Sequence, residues 1–237
     1  MSAPRSTLSE QSPPMLHGIR GVIIDLDGTM LDTASDLQQT INRMRHDLTL
    51  APLAPATITS FVGKGAEHLV RCALQVDRSV EETEQLHARA MRLFNHHYHD
   101  INGEFAKIYP GVLEGLQAMR AQGLRLACVT NKPLTFTLPL LIKTGLHDYF
   151  DIIYGGDSFA KKKPDPMAML QVCVDFAFPA TEIVAIGDSI NDAQAARAAG
   201  CRILMVPYGY NHGQSVQEID SDGIVSSLLE AAQLISR

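Results

Sequence analysis

The chain predicts an α/β fold: an open parallel sheet covered by helices on both faces and interrupted by an all-helical insert. Three observations predict it. Short apolar runs rich in β-branched residues recur along the chain, each ending in a polar residue or a turn signal, as strands buried on both faces do. Helical patterns lie between the later runs, and parallel neighbours need crossovers of that kind. Between the first run and the second, residues 34–104 carry helical periodicity and no convincing strand.

Taken in order, residues 1–14 are polar, hold three prolines and lack an apolar signal core, so 1–17 is expected to be a disordered lead-in. The first strand is Gly21-Val22-Ile23-Ile24, ending at Asp25. A helix over 36–48 aligns Leu37, Ile41, Met44 and Leu48, and a longer one over 80–101 aligns Leu86, Ala90, Phe94, Tyr98 and Ile101, both at helical spacing. With apolar faces of its own, 34–104 is expected to form a small separate domain, leaving 18–33 and 105–237 as the core. In that core, strands are expected over 124–129, 182–186 and 202–206, with a weaker one over 151–154. Helices are expected over 112–122, 133–144, 166–176 and 191–199, each followed by glycine or a turn.

Composition narrows the function. The 237 residues are 46% hydrophobic and 19% charged, with a net charge of −6, which is ordinary globular composition. No basic stripe announces a nucleic-acid partner. An anionic substrate would need local positive charge, since the overall field does not attract it. Cys72, Cys128, Cys173 and Cys201 form no C-x-x-C pair, so reduced thiols in the cytoplasm are expected. No apolar run approaches the roughly 18 residues of a membrane span.

Ligands of open parallel sheets bind at the carboxyl ends of the strands. Four polar groups fall at such ends: Asp25 with Asp27, Thr130 with Asn131, Lys163 after a short loop, and Asp188 with Asp192. In Asp25-Leu26-Asp27-Gly28-Thr29 the two acids, two apart, point the same way as they leave the strand. A D-x-D-G-T pattern arises by chance in about one chain of this length in 700, so a mere Asp-Gly turn is the weaker explanation.

These residues resemble the motifs of the haloacid dehalogenase superfamily. Asp25-x-Asp27-Gly28-Thr29 resembles the first motif, Thr130-Asn131 the second, Lys163-Pro164 the third, and Gly187-Asp188-Ser189-Ile190-Asn191-Asp192 the fourth. The resemblance covers about Ile19 to Arg237. It implies a Rossmann-like core, with the insert as a C1-type cap. Within the superfamily the chain is most similar to bacterial phosphoglycolate phosphatases, through Phe61-Val62-Gly63-Lys64-Gly65, Val129-Thr130-Asn131-Lys132-Pro133, Gly155-Gly156-Asp157, Lys162-Lys163-Pro164-Asp165-Pro166 and Val206-Pro207-Tyr208-Gly209-Tyr210-Asn211. Ile24 and Met30 depart from residues that are often Phe and Leu there.

The resemblance implies a phosphatase for a small anionic phosphate ester, foremost 2-phosphoglycolate. Asp25 would be the nucleophile, forming an acyl phosphate, and Asp27 the general acid and then base. Two anions facing a phosphate require cations. Mg²⁺ would be held by Asp25, the Asp27 carbonyl and Asp188, with Asp192 binding a metal water or steadying Lys163. Lys163 would contact Asp25 and the phosphate, while Thr130 and backbone amides near Asn131 would bind phosphate oxygens. In the cap, Gly63 would face the site, and Lys64 or Arg71 would pair with the substrate carboxylate or remain plain surface charges. Asp32 and Thr33 read either as a helix cap with Asp36 or as a hinge. His96, His97 and His99 share no single helix face and make no zinc pattern. Lys161 and Lys162 read as a solvated turn.

Other readings stay open at this level: a phosphatase for a sugar phosphate or pyrophosphate, a C1-cap phosphomutase, or a non-catalytic scaffold. Asp27 argues against a dehalogenase, which has no leaving alkoxide to protonate. A pseudoenzyme would be expected to have lost one of Asp25, Asp27, Lys163 or Asp188. The chain is consistent with a monomer or a homodimer.

Overall fold

The structure is a computed structural model that describes residues 15–211 and 215–236. Most of the lead-in expected over 1–17 therefore lies outside the described residues. Leu16, which falls within that stretch, is buried and pairs with Ile235.

The core contains β1 (Gly21–Ile24), β2 (Leu31–Asp32), β3 (Lys107–Ile108), β4 (Arg125–Val129), β5 (Ile152–Tyr154), β6 (Ile183–Gly187), β7 (Arg202–Met205) and β8 (Gly223–Ile224). Six of them form one parallel sheet in the order β5-β4-β1-β6-β7-β8. β1 is central because every one of its residues is buried. Its side chains divide with the period of a strand. Val22 and Ile24 join one apolar cluster with Leu126, Cys128, Val184 and Ile186, while Ile23 joins another with Ala127, Ala185 and Ile203.

The helices are α1 (Ala34–Asp47), α2 (Pro55–Thr59), α3 (Ala66–Gln75), α4 (Val80–Ile101), α5 (Val112–Ala121), α6 (Leu134–Lys143), α7 (Met167–Phe176), α8 (Ile190–Ala199) and α9 (Leu228–Leu234). Helices α5, α6 and α9 cover the first sheet face and α7 and α8 the second. The expected alternation is observed, including the weak strand β5. Three features were not expected: α2 and α3 in the insert, the β8–α9 tail, and the two-stranded pair β2–β3.

Between β2 and β3 the chain is helical, and helices α1 to α4 share an apolar cluster that includes Ile41, Met44, Val70, Leu74, Phe94 and Tyr98. Phe136 of α6 and Tyr210, both from the sheet-bearing part, belong to the same cluster. The insert is thus seated directly over the carboxyl ends of the strands. Its two connectors are tied together. β2 pairs antiparallel with β3, and the Asp36 carboxylate accepts from the Gly103 and Phe105 amides at 2.7 and 2.8 Å.

Candidate active site

The site begins where β1 ends. The Asp25 amide still donates to Ile186 in the ladder at 3.0 Å, so the side chain leaves from a fixed strand position. The chain then turns sharply at Gly28, whose φ of +88° suits glycine. A Cβ there would lie 2.3 Å from Asp188 Oδ2, so glycine also makes room for the acid that follows β6.

The two acids of the first loop have different neighbours. Asp25 Oδ1 accepts from the Leu26 amide at 2.7 Å and lies 2.9 Å from Lys163 Nζ. Asp27 accepts from Thr33 Oγ1 at 2.6 Å and from Lys132 Nζ at 3.0 and 3.2 Å. Lys132 also donates to the Tyr98 hydroxyl of α4 at 2.5 Å. Lys163 spends its three protons on Asp25, on Asp192 Oδ1 at 2.6 Å and on the Val129 carbonyl at 2.7 Å.

After β6, Asp188 accepts from Thr29 Oγ1 and from the Tyr210 amide, both at 2.6 Å. Asp192 in the first turn of α8 accepts from the Ser189 amide and hydroxyl at 3.1 and 2.6 Å. Carboxylate oxygens of Asp25, Asp188 and Asp192 lie within 4.8 Å of one another. Asp27 stands outside this group, its carboxylate turned to Lys132 and Thr33.

The electrostatics favour a cation. Burial pushes Asp25 well above the usual carboxylate range; Lys163 opposes this, while Asp192 and Asp188 add to it. Burial pushes Asp188 up to about 7, with Asp192 adding and the Thr29 and Tyr210 bonds opposing. Two buried acids and a partly buried one, with one ammonium, carry unbalanced negative charge. Their all-oxygen donor set suits a hard divalent ion such as Mg²⁺.

A cavity of about 40 Å³ lies between the sheet ends and the helical insert. Asp25, Asp27, Thr130, Asn131 and Lys132 line its floor, and Gly63, Leu69, Phe94 and Tyr98 its roof. Asn131 Nδ2 donates to the Gly63 carbonyl at 3.1 Å and to the Lys163 carbonyl at 2.9 Å, docking the 63–65 loop onto the core. Lys163, Asp188 and Asp192 do not line the cavity; they reach it through Asp25, which Lys163 contacts. Lys64 and Arg71 do not line this cavity. They border a separate, open depression with His68, Lys162, Lys163 and Asn191, and Arg71 is paired with Glu84. His97 pairs with Asp47 at 2.7 Å, while His96 and His99 border another depression.

Thr33 corrects one expectation. It precedes α1 but makes no side-chain cap to it; its hydroxyl serves Asp27 instead. The Thr33 and Ala34 amides are met by the Tyr210 hydroxyl, at 2.8 and 2.9 Å, which itself donates to Asp32 at 2.7 Å. Sequence reasoning also missed the roles of Thr29, Tyr98, Lys132 and Ser189. Lys132 stood within a quoted motif and Tyr98 on a helix face, but neither spacing shows that they meet.

The family model for haloacid dehalogenase-like hydrolases matches residues 22–206. A phosphoglycolate phosphatase of Nitrosospira multiformis is 52% identical over 92% of this chain and 96% of its own length. One from Thiobacillus denitrificans is 44% identical over the same shares. The crystal structure of a predicted phosphoglycolate phosphatase from Haemophilus somnus 129pt superposes with a TM-score of 0.86 at 29% identity, covering 92% of this chain and 99% of that one. Among the described residues no helix is long and apolar enough to cross a membrane. The motif positions, the fold and these relatives agree: the chain belongs to the haloacid dehalogenase-like hydrolases and is a phosphoric monoester hydrolase.

Proposed function

We propose that this phosphatase is Mg²⁺-dependent, hydrolyses 2-phosphoglycolate and works through an aspartyl-phosphate on Asp25. The observation that carries the reading is the meeting of Asp25, Asp188 and Asp192 within 4.8 Å of one another, with Lys163 between Asp25 and Asp192 and Asp25 open to the cavity. The names of the similar proteins support the choice of substrate.

Asp25, Asp188 and Asp192 would hold the ion, with the Asp27 carbonyl. Bound there, Mg²⁺ would offset the negative charge of acid and phosphate as they approach. Lys163 fixes the rotamer of Asp25, so that one carboxylate oxygen is presented to phosphorus without searching. Attack by that oxygen forms the Asp25 acyl phosphate as the P–O bond to glycolate breaks. Asp27 gives its proton to the departing oxygen, then takes one from the water that attacks the acyl phosphate. Glycolate and phosphate leave, and Asp25 is regenerated. Thr130 and the amides near Asn131 line the cavity where phosphate oxygens would sit.

The test is a panel of small phosphorylated metabolites, ranked by kcat/KM with Mg²⁺ and with chelator. The reading expects 2-phosphoglycolate to lead and chelator to abolish turnover. A sugar phosphate or pyrophosphate in first place would displace the substrate assignment. Undiminished turnover in chelator would displace the metal.

A further inference from the structure

We propose that Lys132 is the specificity-determining residue of the cavity, the cation that reads the substrate's carboxylate. This deepens the phosphoglycolate reading and rests on it.

The first argument is elimination by place. Among the described residues that line the cavity, Lys132 is the only lysine or arginine. Lys163 is occupied by three separate acceptors and, with Lys64 and Arg71, borders a different depression. Much of the remaining lining is apolar, including Leu37, Val62, Leu69, Phe94 and Phe136. A carboxylate brought in among those side chains without a cation would meet a large desolvation cost.

The second argument is geometry. Lys132 Nζ contacts both oxygens of Asp27, at 3.0 and 3.2 Å. An acid that protonates the leaving oxygen stands about 3 Å from it, so the ammonium falls within about 6 Å of that atom. In 2-phosphoglycolate the carboxyl carbon is two bonds from the same oxygen, which brings a carboxylate oxygen within hydrogen-bond reach of Nζ. Lys163 gives its protons to three separate groups, whereas Lys132 meets two, sharing itself between both oxygens of Asp27 and the Tyr98 hydroxyl, and its side chain is 4% exposed. A buried ammonium with two side-chain partners retains capacity for a third acceptor. Tyr98 belongs to α4 in the insert, so the contact that holds Lys132 forms only when insert and core are together.

A role confined to positioning Asp27 would affect every ester alike, and this separates the two possibilities. The measurement is kcat/KM for 2-phosphoglycolate and for its neutral isostere 2-phosphoglycolamide, in the wild type, Lys132→Met and Lys132→Arg. The wild type should favour the carboxylate. Lys132→Met should lose about a hundredfold more activity on the carboxylate than on the amide, and Lys132→Arg should keep a preference. Equal losses on both substrates would overturn the proposal. A wild type that does not favour the carboxylate would overturn the phosphoglycolate reading itself, with this proposal. Because Lys132→Met could fail to fold, a second measurement uses the wild type alone. A crystal structure with Mg²⁺ and the non-hydrolysable 3-phosphonopropionate should place the carboxylate within hydrogen-bond distance of Lys132 Nζ; a carboxylate directed at Lys64, Arg71 or solvent would refute the assignment.

Discussion

In the proposed reaction two carboxylates two residues apart take on different work because their neighbours differ. Asp25 is pinned by Lys163 and the Leu26 amide, which suits a nucleophile that must not wander. Asp27 is held by Thr33 and Lys132 and lines the cavity, where the proposed acid must stand. Asp25→Asn should reduce kcat by at least about a thousandfold with an unchanged circular dichroism spectrum. Substantial residual turnover would exclude it as the nucleophile. Asp27→Asn should cost about 10²- to 10⁴-fold on alkyl esters. The loss should be much smaller on p-nitrophenyl phosphate, whose leaving group needs no proton, and equal losses on both would contradict the acid role. The acids and Lys163 were readable as motifs because chemistry repeats residue types at strand ends. The Thr33 hydroxyl was not, because its position before α1 offers an equally good local use as a helix cap.

At the scale of elements, the entry into the insert depends on a side chain almost two hundred positions away. The Tyr210 hydroxyl accepts from the Thr33 and Ala34 amides at the start of α1 and donates to Asp32. Tyr210→Phe would leave the Thr33 amide without its partner, while Ala34 keeps Asp32 Oδ1 at 3.1 Å, a cost of about 1–3 kcal/mol, readable as a lower denaturation midpoint. An unchanged midpoint would show that water replaces the hydroxyl. The parallel sheet was legible because β1, β4, β6 and β7 are continuous apolar runs. Helix α2 was less so: it is five residues long, too short for periodicity to stand out from a loop. β2 and β3 have two residues each, and their pairing is decided by the geometry of the connectors rather than by any local pattern.

For the whole molecule, the buried acid cluster couples metal, pH and stability. Asp188 is pushed from 3.8 up to about 7, and Asp25 is also raised. A carboxyl whose folded-state value is raised binds its proton more tightly in the folded chain than in the unfolded one. Its contribution is therefore fully present below about pH 4 and is lost as pH rises through about 7. The metal-free protein should lose stability across that window. Added Mg²⁺ should raise the melting temperature more at pH 8 than at pH 5, because deprotonated oxygens bind it. An equal shift at both pH values would place the ion elsewhere.

In the proposed mechanism Asp25 carries the phosphate during turnover. The most direct measurement is an acid quench of the enzyme turning over 2-phosphoglycolate with Mg²⁺, followed by borohydride reduction and peptide mass spectrometry. Reduction converts an aspartyl-phosphate into homoserine. Homoserine is expected at position 25 and nowhere else. Homoserine at another aspartate, or none in a sample that was hydrolysing substrate when quenched, would contradict it.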